Sequence, residues 1–237
     1  PTIFFVWGDS RKRISTGDSG LDDINKYYLN VLYGNIDQQA IKNQHLNDNW
    51  GKARDKFDIV SCQFSIHYFF RDADTLEGFI QNISDNVKLH GSFIGTCLDG
   101  NKVFEKLKNK PVIGKKKDNK NVWYIKKNYT NKLNILPKDK NSLGLPVDVF
   151  VDSINQTLEE YLVSIEYLEL LLKPKGFVLT NKVSFEQLFN NMLKDTKDYG
   201  DAKKLTKIEK NYSFLHTQFI FTRTSMGEDA IKSGHKT

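Results

Sequence analysis

Apolar and polar positions alternate along the chain with two periods, and the switches between them divide it into strands and helices. Residues 3–7, Ile-Phe-Phe-Val-Trp, form an unbroken apolar run that ends at Gly8-Asp9-Ser10, the pattern of a buried parallel strand whose carboxyl end opens into a loop. Asp18 or Ser19 is placed to cap a helix in which Leu21, Ile24, Tyr28, Val31 and Leu32 recur at helical spacing, and Gly34 is placed to end it. Polar residues then lead to a second buried strand, 57–64. Leu76, Phe79, Ile80, Ile83 and Val87 form the inner face of the next helix, and Gly91 precedes a third strand, 92–98. A short helix is expected at 103–108, a strand at 146–151 and a helix with a long apolar side at 158–172. The Pro174-Lys175-Gly176 turn leads into a strand at 177–180. A helix over 185–193, a charged linker over 194–210 and a last strand over 214–222 complete the pattern. Strands alternating with amphipathic helices predict an open, mainly parallel α/β sheet, in which ligands bind at the carboxyl ends of the strands.

Composition narrows the setting. The chain's 237 residues are enough for one hydrophobic core, and one domain is expected over 1–224, with a lysine-rich insertion at about 109–140. The tail, 225–237, holds almost nothing that could be buried and is expected to be disordered. No apolar run approaches the roughly 18 to 20 residues that cross a bilayer, and the first residues lack the charged start and cleavage site of a signal peptide. Cys62 and Cys97 sit inside apolar strand runs, as buried thiols rather than a disulfide framework or metal ligands. A reducing, cytoplasmic setting is the expectation.

The formal charge is +6, and the surplus is concentrated. Lys115, Lys116, Lys117, Lys120, Lys126 and Lys127 surround Trp123 and Tyr124, an arrangement that attracts a polyanion such as RNA by counterion release. A solvated loop or edge strand would carry the same charges. Charge alone leaves both readings open.

The chemistry concentrates in one segment, Phe57-Asp58-Ile59-Val60-Ser61-Cys62-Gln63-Phe64-Ser65-Ile66-His67-Tyr68. Its first half reads as a buried strand, so Gln63, Phe64, His67 and Tyr68 fall at the strand's carboxyl end. An amide, an imidazole and two aromatic rings there suit a planar heterocycle, through stacking and edge hydrogen bonds. On the residues alone, rings packed in a core and a satisfied loop histidine are the more common use of the same pattern.

This segment closely resembles the FD-[IV]-[CV]-SCQF-x-x-HY signature of the mRNA cap guanine-N7 methyltransferases. Further similarities follow in the family's order. Trp7-Gly8-Asp9-Ser10 is similar to its ADS segment, Gly91-Ser92-Phe93-Ile94-Gly95-Thr96 to its GG-[YF]-FIGT segment and Glu159-Glu160-Tyr161-Leu162-Val163 to its P-E-[FY]-LV segment. The apolar run ending at Phe221 resembles its final strand. The resemblance implies a Rossmann-like, class I S-adenosylmethionine-dependent methyltransferase: α/β, mostly parallel, with an antiparallel last strand. It implies a donor pocket lined by Asp9, Ser10, Gln63 and Tyr68, and a cap guanine held by Phe64, His67, Tyr68 and Glu160. Products would be N7-methylated capped RNA and S-adenosylhomocysteine.

Two departures matter. His90 and Leu98 replace a glycine and a proline of the family pattern, and the aromatic of the last strand falls on His216 or, in another register, Tyr212. Nothing here resembles the family's glycine-rich donor motif or the acidic residue after its second strand. The resemblance therefore implies the C-terminal part of a longer capping enzyme of a large DNA virus, joined to triphosphatase and guanylyltransferase domains, lacking its first strand–helix units and binding the methyl donor poorly alone. A non-catalytic stimulatory subunit of such an enzyme is the second reading, and an RNA-binding module built on the lysines is the third.

Overall fold

The computed structural model describes residues 3–130, 133–194 and 202–225; the tail expected to be disordered lies almost wholly outside them. Two four-stranded sheets organise the chain. The first has the order β1-β2-β8-β7, built from β1 (Phe57–Gln63), β2 (Val87–Leu98), β7 (Phe177–Ser184) and β8 (His216–Arg223). β1 and β2 form the one parallel pair among the described strands, so the sheet is mixed rather than mainly parallel, and β8 inserts antiparallel between β2 and β7, the orientation expected of the last strand. The second sheet is wholly antiparallel, with β3 (Val112–Lys117), β4 (Lys120–Lys127), β5 (Pro146–Val151) and β6 (Gln156–Tyr161) in sequential order. Most of the lysine-rich stretch is thus the β3–β4 hairpin.

Seven α-helices connect these strands among the described residues: α1 (Asp23–Leu32), α2 (Gln44–Asn47), α3 (Ala73–Asn86), α4 (Gly100–Leu107), α5 (Ile165–Leu172), α6 (Phe185–Met192) and α7 (Lys207–Ser213). In α3, Leu76, Phe79, Ile80 and Ile83 are buried as their spacing requires. They meet Phe93 of β2 and Phe219 and Phe221 of β8 in one core. Gly95 of β2 lies where a Cβ would overlap the Phe219 ring and come within 2.8 Å of the Cys62 carbonyl. A side chain there would push the parallel pair apart.

The structure corrects several sequence expectations. Residues 3–7 form no strand; Ile3, Phe5 and Trp7 are 72%, 89% and 66% exposed. The outer edge of β1 likewise has no strand beside it among the described residues, and Ile59 there is 60% exposed. An apolar run becomes a strand only when a partner accepts its backbone hydrogen bonds, and among the described residues this one has only an isolated bridge just past its end, between Gly8 and Gly20. The first helix starts later than expected: Asp22, whose carboxylate accepts from Asn25 N, caps α1 and leaves Leu21 outside it. Gly34, at φ 63°, follows its end. His90, which replaces a family glycine, adopts φ 66°, a left-handed conformation that histidine tolerates better than branched residues do.

The largest correction concerns 158–172, which is not one helix. It divides into β6 and α5 at Ser164, whose hydroxyl accepts from Tyr167 N. Alternation along β6 turns Leu158 and Glu160 inward and Thr157, Glu159 and Tyr161 outward.

Candidate functional site

The end of β1 sets the site. Phe64 follows the last strand residue with φ 53°, a left-handed conformation uncommon outside glycine, held by its N–H donating to Thr96 O at 2.9 Å. That bend stops the strand and turns the Phe64 ring toward β8. A short 3-10 turn, Ile66–Arg71, then buries Ile66 and Phe70 in the core and anchors the rings between them, with His67 and Tyr68 packed edge to face at 4.1 Å.

Three cavities meet here, and Tyr68 borders all of them. The largest, about 870 Å³, lies between residues 4–14, α1 and β1, with Ser10, Gln63 and Tyr68 in its wall. Gln63 is fixed on both sides: its Oε1 accepts from Thr96 Oγ1 and its Nε2 donates to Ser61 Oγ, each at 2.8 Å. The loop carrying Ser10 is pinned to α3, where Asn82 donates to the carbonyls of Ser10 and Lys12 and accepts from Ile14 N. Asp9 stands one cavity away, in a space of about 530 Å³ shared with Ser10, Arg11, Tyr68 and Arg71. The Arg11 guanidinium grips its carboxylate at 2.7 Å and holds its pKa below the usual value.

A cavity of about 370 Å³ joins the two sheets. Phe64, His67 and Tyr68 line one side, Leu158 and Glu160 the other, with Phe185, Tyr212 and His216 closing it. His67 and His216 are buried, whereas the Phe64 ring is half exposed. Phe64 meets the edges of Phe185 and His216 at 6.1 and 5.6 Å, and Tyr212 meets His216 at 5.0 Å. Both candidates for the last aromatic therefore belong to this wall. Phe185 carries no sequence signal beyond being the first apolar position of a helix. Leu98, in the family's proline position, lines the same cavity.

Its polar groups are few and matched. His67 Nδ1 lies 3.4 Å from Glu160 Oε2, and burial drives both toward neutrality. The His67 pKa falls to about 4, through desolvation and the nearby His216, and that of Glu160 rises to about 7 through desolvation. His67 Nε2 is buried with no hydrogen-bond partner, an atom that a ligand can satisfy. Stacking rings, a carboxyl acceptor and a free imidazole nitrogen make a site for a flat base with N–H groups on its edge.

Residues 23–218 match the model of the mRNA (guanine-N7)-methyltransferase domain. The chain belongs to this family. A probable mRNA-capping enzyme of Acanthamoeba polyphaga mimivirus is 30% identical over 91% of this chain, which spans 18% of that protein. An mRNA cap guanine-N7 methyltransferase of Meyerozyma guilliermondii is 26% identical over 73% of this chain and 31% of its own length. A solved S-adenosylmethionine-dependent methyltransferase from Clostridium acetobutylicum covers 87% of this chain and 74% of that one, at 15% identity and a TM-score of 0.42. The matched range reaches from α1 to β8 and so includes the second sheet that carries Glu160. No described helix is long and apolar enough to cross a membrane.

Proposed function

We propose that this chain forms the guanine-holding part of a methyltransferase that transfers the methyl of S-adenosylmethionine to N7 of the guanine in GpppRNA, within a longer, multifunctional capping polypeptide. The observation that carries the proposal is Glu160, largely desolvated on a strand of the second sheet, its carboxylate 3.4 Å from His67 Nδ1 in the cavity that Phe64 and Tyr68 also line. Guanine presents N1–H and N2–H donors together, and one carboxylate accepts both. Phe64 and Tyr68 would cover its faces and His67 Nε2 would meet a polar edge. Guanine N7 has a free lone pair, so attack needs no general base; alignment in a dry site suffices. As N7 becomes cationic, the nearby carboxylate stabilises the developing charge.

The larger cavity fits the donor in character. Its wall is mainly apolar, with Ser10, Ser61, Gln63 and Asn49 among its hydrogen-bonding groups and Lys52 as its one cation, which suits the donor's carboxylate; no Asp or Glu lines it among the described residues. Ser10, Gln63 and Tyr68 would hold the donor, which supplies an electrophilic methyl on a sulfonium. Asp9 would act through the neighbouring loop while Arg11 holds it. Tyr68, shared by both cavities, would set the distance between nucleophile and methyl.

The test is transfer of labelled methyl from S-adenosylmethionine to N7 of GpppRNA, by this chain and by a form extended upstream. Transfer by the extended form supports the proposal; stimulation of a separate methyltransferase by forms themselves inactive would move it to a stimulatory-subunit role.

Glu160 also predicts a pH dependence. Its carboxyl must be ionised to accept from guanine, so GpppG binding should strengthen as pH rises through about 7 and then level off. In the free protein the same raised pKa makes Glu160's contribution to stability full in acid and lost as pH rises through about 7. His67, with its lowered pKa, contributes in the opposite sense between about 4 and 6.5. A pH-independent GpppG affinity from about pH 6 to about pH 8 would exclude Glu160 as the acceptor.

A further inference from the structure

The outer face of the second sheet has chemistry that the guanine cavity does not use. Strand alternation sends Trp123 inward, where it is buried and donates to Ile208 O, and turns its neighbour Tyr124 outward. Tyr124 pairs with Phe150 on β5, and their rings lie 5.2 Å apart and within 10° of parallel. The Tyr124 hydroxyl is fixed by Thr157 on β6 at 2.8 Å. On its other side Tyr124 faces Gly114, which has no side chain to cover the ring. Beyond this row, Lys116 and Lys120 are exposed around the hairpin turn and form no ion pair among the described residues, whereas Lys115 pairs with Trp123 and shares its face. Lys126 neutralises Asp148 on the same face at 3.6 Å.

This face is continuous with the site. The cavity of about 530 Å³ that Tyr68 shares is lined by Arg11 and Arg71, and on its far side by Glu159 and Tyr161, which are outward residues of β6. Tyr161 to Thr157 is four residues, about 13 Å of strand, and Thr157 holds Tyr124. A chain leaving the guanine cavity past Tyr68 would pass the arginines, then the aromatic pair, then the lysines.

We propose that the outer face of the β3–β6 sheet binds the single-stranded RNA that follows the cap, with bases stacked on Tyr124 and Phe150 and phosphates on Lys116 and Lys120 at the end of the hairpin. The assignment to the capped transcript rests on the guanine-site reading above. Aromatic rings on a sheet with a cationic border are how single strands are held without reading their sequence. A duplex hides its base faces and gains nothing from the rings.

The test is binding of an uncapped, fluorescently labelled single-stranded RNA of mixed sequence to this chain, read by anisotropy across a salt series. K116E/K120E should bind at least about 5-fold more weakly, with a salt slope shallower by about 1.4, as loss of two phosphate contacts requires. Y124A/F150A should lose about 5-fold or more with an unchanged slope, while Y124F keeps its affinity. The exposed lysines leave folding untouched, so the charge variant remains decisive even if the aromatic variant unfolds. Unchanged binding by the charge variant, or duplex bound as tightly as single strand, would overturn the proposal. GpppG binding, followed alongside, should be the same in parent and variants. A parent that binds RNA as described but not GpppG would defeat the guanine reading and its link to capped transcripts, leaving a sequence-tolerant RNA surface.

Discussion

Glu160→Gln should lower kcat/KM for GpppRNA methylation by roughly 10²–10³-fold, the loss of about 3–4 kcal/mol expected when charge-assisted hydrogen bonds in a dry site lose their acceptor. The amide keeps the shape but removes the charge, and its NH₂ meets the guanine N2 amino group donor to donor. Folding should not suffer. Desolvation already opposes ionisation of Glu160, so a neutral isostere relieves a cost and the melting temperature should hold or rise. An inosine cap, which lacks the N2 amino group, sharpens the test: the parent should lose activity on it, and the variant should lose less on changing base. If the variant kept parental kcat/KM, the carboxylate would have no part in holding the base.

The second large effect is on stability. Phe93→Ala should destabilise the fold by about 3–5 kcal/mol, the usual cost of emptying a core site of an aromatic ring. Phe93 is fully buried and lies between the elements that carry the site. Its ring meets Phe79 of α3 at 6.0 Å, and Phe219 and Phe221 of β8 at 5.4 and 6.2 Å. Few small rearrangements can refill a space bounded by three other rings. Urea unfolding would show the loss as a lower midpoint; a change under about 1 kcal/mol would mean that this cluster is not the centre of the core.

The sequence made some of this legible and hid the rest for identifiable reasons. α3 was plain because its four apolar positions recur at helical spacing and all face one core. Gln63, Phe64, His67 and Tyr68 were legible together because one strand end and one tight turn deliver them, and local chain geometry suffices. Residues 3–7 misled because apolarity states a need for burial without naming a partner. β6 was hidden because Leu158, Leu162, Ile165, Leu168 and Leu172 also fit a helical stripe, and only its pairing with β5 and the Ser164 cap divide it. Phe185, Tyr212 and His216 reach the cavity from elements far along the chain, and no local pattern announces that meeting.

Because side chains on a strand alternate between faces, Glu160 confronts His67 only in one phase of the β5–β6 ladder. Adding or deleting a single residue between 156 and 160 would leave a hairpin able to fold, with its carboxylate turned to the outer face. Length variation in related genes should therefore gather at the turn, residues 152–155, where it leaves that phase untouched. For this part of the lineage, reading frame is not the only frame under selection.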